Sequence, residues 1–320
     1  MPLSSLQLLA LLNVPRIGKK TALKLSLNFE KVPLDEEFVE KLSNKDSGVK
    51  PQIQKETLLA SLTHAKTVFD KSESLGIKWV NIFEDNYPTS LRNAVSENGK
   101  NSIAPPIIFY KGNIKLLNGS CLLIIGSRNC GESARKAALY LSDKFAARGF
   151  SIVSGLAIGC DAAAHSGAIR QGKTIAVVGN GLDIVYLKEH KELASNILDS
   201  GGLIISEYEL GTPVSKYTLV ERDLLQTAIS KAVIVVQSSE KGGSMHAAIT
   251  ACNSDKKLFT VKFSDESVNN SEDCSGNKLL VSKYGASYIE PSPDQTYMNS
   301  YLDNISKQIR EGDADKILDT

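Results

Sequence analysis

From residue 121 to residue 289 short apolar runs alternate with longer stretches of helical periodicity, and few folds accommodate that order. The apolar runs are 121–125, 150–153, 174–178, 203–205, 232–236, 258–261 and 287–289, most of them uninterrupted by polar residues. A strand needs that composition when both of its faces are covered, as in a parallel sheet. The intervening stretches 134–148, 161–171, 188–200, 218–230 and 243–253 are Ala-rich or amphipathic at helical spacing. Strands joined through helices run parallel and cross over with one hand. The pattern predicts an α/β fold, an extended Rossmann-like, doubly wound, mostly parallel sheet.

The flanks differ from this middle. Leu6, Leu9 and Ala10, then Ala22, Leu23 and Leu25, then Leu58, Leu59 and Leu62 recur at helical spacing, with breaks at Asn13-Val14-Pro15 and Ser43-Asn44-Lys45-Asp46-Ser47-Gly48. A small helical domain is expected over 1–80. Tyr87-Pro88 and Ala104-Pro105-Pro106 punctuate a transition in which Ile107-Ile108-Phe109-Tyr110 is extended and Lys111-Gly112-Asn113 turns. The sheet domain is expected over 81–290, and 291–320 is a polar tail with one short helix expected near 297–310.

Charge narrows the partners. With 37 Lys+Arg against 36 Asp+Glu the net charge is +1, so a polyanion must be held by a local cluster and not by a general field. Five cysteines, an odd number without a C-x-x-C pair, argue against a disulfide framework or a zinc knuckle. No apolar run approaches the roughly 18 residues of a membrane span, and Met1 to Leu12 lacks the basic flank of a leader. The expectation is a cytoplasmic protein without a membrane partner.

Four glycine-bearing loops follow predicted strands: Gly126-Ser127-Arg128, Ser154-Gly155 through Gly159, Gly179-Asn180-Gly181, and Lys241-Gly242-Gly243-Ser244. Strands of one parallel sheet point the same way, so these loops converge on its carboxyl edge, where α/β sheets bind ligands. Arg128 is the sharpest residue, because a guanidinium forks two phosphate oxygens while neighbouring amides hold a third. A surface ion pair is the plainer alternative for it. Lys173, which enters the strand at Thr174, falls on geometry at the opposite, amino edge unless its loop folds back.

Two motifs fail on context. Gly167 to Thr174 reads G-A-I-R-Q-G-K-T, the letters of a phosphate-binding P-loop, but a helix precedes it and a strand follows, the reverse of what such a loop requires. Gly179-x-Gly181 has Ile184 where the third glycine of a dinucleotide fingerprint belongs. Asp161 and His165, one helical turn apart, could pair as an acid and an oriented base. A structural role is favoured, with Asp161 as helix N-cap and His165 fastening the loop. His64, His190 and His246 show no ligand spacing, so neither metal nor cofactor is expected. Near the start, segment 13–22 joins two helices through a Gly turn carrying Arg16, Lys19 and Lys20, with Lys24 one turn on. It is either a non-specific phosphate contact or a helical corner with solvated lysines.

Taken in order, the motifs resemble those of the DNA-processing protein A family (DprA, also called Smf). The matches are Tyr87-Pro88-Thr89-Ser90-Leu91-Arg92, Pro105-Pro106 to Gly112-Asn113, Ile125-Gly126-Ser127-Arg128, Ser154-Gly155-Leu156-Ala157 with Gly159, Asp161 and Ala164-His165, Gly172-Lys173-Thr174, Gly181-Leu182-Asp183 with Tyr186, and Ser206-Glu207-Tyr208. The resemblance spans roughly 80 to 290 and implies a binder of single-stranded DNA that hands the strand to a RecA-type recombinase in natural transformation, usually as a homodimer. It implies Arg128 and Lys173 as residues of the DNA pocket; the converging loops add Gly126, Ser127, Gly155, Gly179, Gly181, Gly242 and Gly243, and Arg222, as expected phosphate contacts, and no catalytic residue is expected. Departures follow Tyr208: Arg222 fits the family's first arginine, but Asp223 and Leu224 stand where Asn and a second Arg are expected. Met245-His246 and Val261-Lys262-Phe263 depart likewise.

The alternative is a nucleotide sensor, such as one in anti-phage defence, because the wider superfamily resembles phosphoribohydrolases with a P-G-G-x-G-T-x-x-E motif. Here Gly242-Gly243 is present, but Ile249 occupies the glutamate's place. With 6% aromatic residues, a strand binder must rely on charge more than on stacking.

Overall fold

A computed structural model of the chain describes residues 2–44, 52–95, 102–185 and 188–311. Tyr186 and most of the expected break at 43–48 lie outside the described residues. The chain opens with helices α1 (Ser5–Leu12), α2 (Lys19–Ser26), α3 (Asp35–Ser43) and α4 (Lys55–Ser74). Strand β1 (Lys78–Asn81), the short helix α5 (Thr89–Arg92) and strand β2 (Ile107–Gly112) make the transition. The alternating part runs β3 (Cys121–Ile125), α6 (Glu132–Ala147), β4 (Ser151–Ser154), α7 (Cys160–Ala168), β5 (Thr174–Val177), α8 (Lys191–Asp199) and β6 (Leu203–Ser206). It continues through α9 (Lys216–Ile229), β7 (Ala232–Val235), α10 (Ser244–Asn253), β8 (Lys257–Val261), α11 (Glu266–Asn269), α12 (Ser275–Tyr284) and β9 (Ser287–Ile289) to α13 (Gln295–Glu311).

All nine strands form one sheet in the order β1-β2-β6-β5-β4-β3-β7-β8-β9. The seven strands from β3 onward pair in parallel, and β2 joins β6 antiparallel. β1, paired antiparallel with β2, forms one edge; its residues Lys78-Trp79-Val80-Asn81 carry no apolar run, which is why the sequence does not signal it. The five residues of β3 are buried without exception, as a strand covered on both faces must be.

Alternate residues of each strand feed opposite cores. Leu122, Ile124, Ile152 and Ile234 face one layer with α6, α7 and α13, and Ala176 and Ile204 continue that face toward α8 and the first four helices. Cys121, Leu123, Ile125, Val177 and Val233 face the other layer, with α9, α10 and α12. The amino-terminal helices share a continuous hydrophobic cluster with the sheet, in which Phe69 of α4 packs its ring 4.4 Å from Trp79 of β1 and 6.0 Å from Phe109 of β2. From β3 the chain steps through β4 and β5 to β6, then crosses back by α9 to β7 on the other side of β3. The loops after β3 and β7, neighbours in the sheet, therefore depart in opposite directions and leave a crevice between them. Among the described residues no helix is long and apolar enough to cross a membrane.

Candidate nucleic-acid interface

The crevice at this switch point has a volume of about 620 Å³. Its walls are Gly126 to Asn129 after β3, Ser238, Ser239, Gly242 and Gly243 after β7, and the face of α9 that carries Lys216, Leu219, Val220, Arg222, Asp223 and Gln226. Arg128, Lys216, Arg222 and His246 border it, with Asp161, Asp223 and Asp273 opposing them. A second, smaller cavity adjoins it, and Arg128, Ala157, Leu219 and Arg222 line both.

Arg128 is exposed and pairs with no carboxylate among the described residues, which leaves its guanidinium facing the junction of the two cavities. The loop beneath it is tied down. Ser127 donates its amide to the Gln237 carbonyl at 2.8 Å and accepts from the Cys160 amide at 3.2 Å, so the free amide expected at Ser127 is engaged within the protein. Gly126 is required because a Cβ there would sit 2.6 Å from Cys160 Sγ.

Arg222 is a different kind of cation. It is buried, with Nη1 3.4 Å from the Val177 carbonyl and Nε 3.2 Å from Asp223 Oδ1, although that Nε–H aligns with no acceptor. Its guanidinium crosses directly over Gly155, where any Cβ would collide with both Arg222 and Asp161. Burial pushes Asp161 up to about 6, with Arg222 opposing the rise and Asp223 adding to it. Burial raises Asp223 as well, against the pull of Arg222. His246 and Arg128 also attract Asp223, but Arg222 is the cation closest to both buried carboxylates, and little of its charge is left for a ligand.

The glycines of the remaining loops answer to packing. A Cβ at Gly179 would lie 2.9 Å from the Thr218 carbonyl and one at Gly181 2.5 Å from the Glu209 carbonyl, and one at Gly242 would strike Ser238. Gly243, which caps α10 without a side-chain bond, alone of these opens onto free space. Asp161 is not the N-cap of α7: Gly159, at φ 82°, holds that place because its backbone runs against the Ser127 and Arg128 carbonyls. His165 fastens the loop, accepting from Thr174 Oγ1 at 2.6 Å through Nδ1 and donating Nε2–H to the Gly155 carbonyl. Burial pushes its pKa down to about 4, so it is a neutral strut. Asp161 and His165 do not bond to each other.

Lys173 is not brought to this crevice. It precedes β5 and so sits at the amino edge, where its Nζ lies beside Gly149 and near Arg310, the opposite end of the strands from Arg128. The basic turn between α1 and α2 is also partly committed. Lys19 lies 2.5 Å from Glu207 and 3.7 Å from Glu221, and although burial alone would lower its pKa, these two carboxylates hold it above the ordinary lysine value. Glu207 in turn is raised by burial against the pull of Lys19. Lys20 and Lys24 are exposed.

Lys216 and His246 escaped the sequence reading. Ser215 caps α9 through Thr218, and this S-x-x-T pattern after Pro213 marks the helix start that sets Lys216 at the crevice, whereas the exposed Tyr217 turns aside and donates its hydroxyl to Glu221 at 2.9 Å. Lys111 and Lys191, which line the smaller cavity, carry no local signal.

A family model described as DNA recombination-mediator protein A matches residues 78–299. Protein Smf from Escherichia coli strain K12 is 32% identical over 158 residues, 49% of this chain and 42% of that protein. DNA processing protein DprA from Streptococcus pneumoniae is 32% identical over 199 residues, 62% of this chain and 66% of that protein. The chain thus spans less than half the length of the first of these relatives and about two thirds of the second. The X-ray structure of DNA processing protein A from Streptococcus pneumoniae superposes with a TM-score of 0.64 at 25% identity, covering 89% of this chain and 90% of that one. DNA processing protein A from Helicobacter pylori, a protein with its own single-stranded DNA binding mode, superposes with a TM-score of 0.60 at 27% identity, covering 71% of this chain and 96% of that one.

Proposed function

This chain belongs to the DNA recombination-mediator protein A family, and from that premise we propose that it binds single-stranded DNA along the crevice at the carboxyl edge of its sheet. The observation that carries the reading is Arg128: an exposed guanidinium, unpaired by any described carboxylate, at the junction of two cavities on a loop anchored to both β7 and α7. The anchored loop presents that group to a phosphate at little cost in loop entropy. Lys216 at the start of α9 adds a second positive charge to the crevice. The protein acts in this reading as a binder and not as an enzyme. It protects the strand during DNA uptake and passes it, as a cytoplasmic homodimer, to a RecA-type recombinase.

The test is a fluorescence titration with single-stranded DNA over a range of salt concentrations. Arg128→Glu abolishes binding at moderate salt, and Arg128→Ala flattens the logarithmic salt dependence by about 0.7 if the residue holds one phosphate of a single strand. Unchanged affinity in both variants defeats the reading. Release of free base from nucleoside monophosphates would favour a phosphoribohydrolase-like activity instead.

A further inference from the structure

Two thiols meet behind the loop that follows β3. Cys130 stands immediately before Gly131, the N-cap of α6, and Cys160 is the first residue of α7. They lie 30 residues apart with no motif between them, yet both are free and their side chains hydrogen-bond to each other. Their surroundings differ. The Cys160 hydrogen bond and, against burial, the exposed Arg135 guanidinium hold Cys130 below the ordinary thiol range, and the amino end of α6 favours a negative charge there too. Cys160 is pushed up by the same hydrogen bond, by burial and by the charges of Cys130 and Asp161. One sulfur therefore takes the charge while the other keeps the proton. Access follows the same division: Cys130 is 8% exposed between the exposed Asn129 and Gly131, and Cys160 is sealed. Cys121, by contrast, is fully buried and pushed up to about 12 by that burial, so it is inert.

We propose that Cys130 and Cys160 form an oxidation site for hydroperoxides, whose product is a disulfide joining the loop after β3 to the start of α7. The Cys130 thiolate attacks the outer oxygen of the peroxide and the O–O bond breaks. Sulfur keeps that oxygen as a sulfenic acid, and the remainder leaves as an alcohol or water. Cys160 Sγ then attacks Cys130 Sγ, and the hydroxyl departs with the Cys160 proton as water. Two thiols are thereby oxidised by two electrons and one peroxide is reduced. The new bond is shorter than the contact between two thiols, so one side must move. Cys160 has little room to do so, because it packs against Gly126, where a Cβ would sit 2.6 Å from its Sγ, and its amide is bonded to the Ser127 carbonyl. The displacement falls on Cys130. Both thiols belong to the core layer of α6 and α7, whereas the crevice opens toward α9 on the other face of the sheet. The bond therefore draws the loop away from the crevice, a consequence that rests on the single-strand reading although the thiol chemistry does not.

The test treats the fully reduced chain with a small excess of hydrogen peroxide, alkylates the remaining thiols and maps the tryptic peptides. Portions of the reduced and oxidised samples are titrated with single-stranded DNA. The expected result is a linked pair of peptides joining Cys130 to Cys160, with two of the five thiols lost. Affinity falls about tenfold, the worth of one charge-assisted hydrogen bond, and returns when dithiothreitol reduces the bond. Cys130→Ala and Cys160→Ala each abolish the linkage and the effect of peroxide on binding. The exposed-side variant Cys130→Ala keeps the test valid if the buried one unfolds. Absence of the linkage, or its formation between other cysteines, overturns the site. A complete linkage with unchanged affinity overturns the withdrawal of the loop. If the reduced chain binds no strand, the DNA reading falls, and the peptide map alone decides the fate of the thiol pair.

Discussion

Asp161 gives the structure a sign-definite test. Its carboxyl is buried beside Arg222 and Asp223, and its pKa is pushed from the ordinary 3.8 up to about 6, with burial the largest cause. A carboxylate whose folded pKa exceeds its unfolded one makes folding less favourable wherever it is ionised in both states. The cost is full above the folded pKa, shrinks as pH falls through about 6 toward 3.8, and vanishes below. At about 1.4 kcal/mol for each tenfold change in proton affinity, the rise corresponds to about 3 kcal/mol at pH 8 and roughly half of that at pH 5. Asp161→Asn removes the charge while keeping an oxygen for the Ala157 amide. The variant is expected to be more stable than the parent by about 3 kcal/mol at pH 8, with the advantage falling to about half by pH 5, as measured by urea unfolding at both pH values. A variant less stable at pH 8 would refute the reasoning, because it would mean that the attraction of Arg222 outweighs the desolvation of the carboxylate.

Three further outcomes follow from the same geometry. Gly155→Ala places a methyl group where the Arg222 guanidinium lies; displacing that cation strands two buried carboxylates and costs about 2–4 kcal/mol of stability by denaturant unfolding. Lys173→Ala leaves single-strand affinity unchanged in the titration that Arg128→Ala impairs, because the lysine is at the amino edge; equal losses in both would show that the strand runs around the sheet. Lys19→Met removes the partner of Glu207, whose side chain is 5% exposed, and lowers stability by about 1–2 kcal/mol, discounted because Lys19 itself is half exposed. An unchanged unfolding midpoint would mean that Glu207 is protonated when alone.

The sheet was legible because its strands advertise themselves. Residues 121–125 and 287–289 form strands at the expected bounds, and the five helices expected within the alternation all form, with ends that differ by up to three residues. What escaped were elements whose burial is imposed by tertiary contacts. β1 exists because Val80 and Trp79 find β2 and α4, and α12 begins with Ser275-Gly276-Asn277, a poor helical start that is held by Asn277 bonding the Val236 and Val261 carbonyls. Neither contact is local, so no window of sequence displays it.

The site shows the same division more sharply. A residue that follows a parallel strand is delivered to the carboxyl edge by topology, and Arg128 needed no more than that; a residue that precedes one is delivered to the other edge, and resemblance could not move Lys173 against that constraint. Charge is less legible than position. Arg128 and Arg222 both reach the junction of the two cavities, yet one is exposed and only attracts Asp223 from a distance, while the other is enclosed by Asp161 and Asp223, which lie 61 residues before it and next to it in sequence. Asp223 holds Arg222 inward, where its field is compensated. Asp223→Asn should release part of that field: the expected result is tighter single-strand binding with a steeper salt dependence, and an unaltered salt slope would show that Arg222 is structural whatever its neighbour.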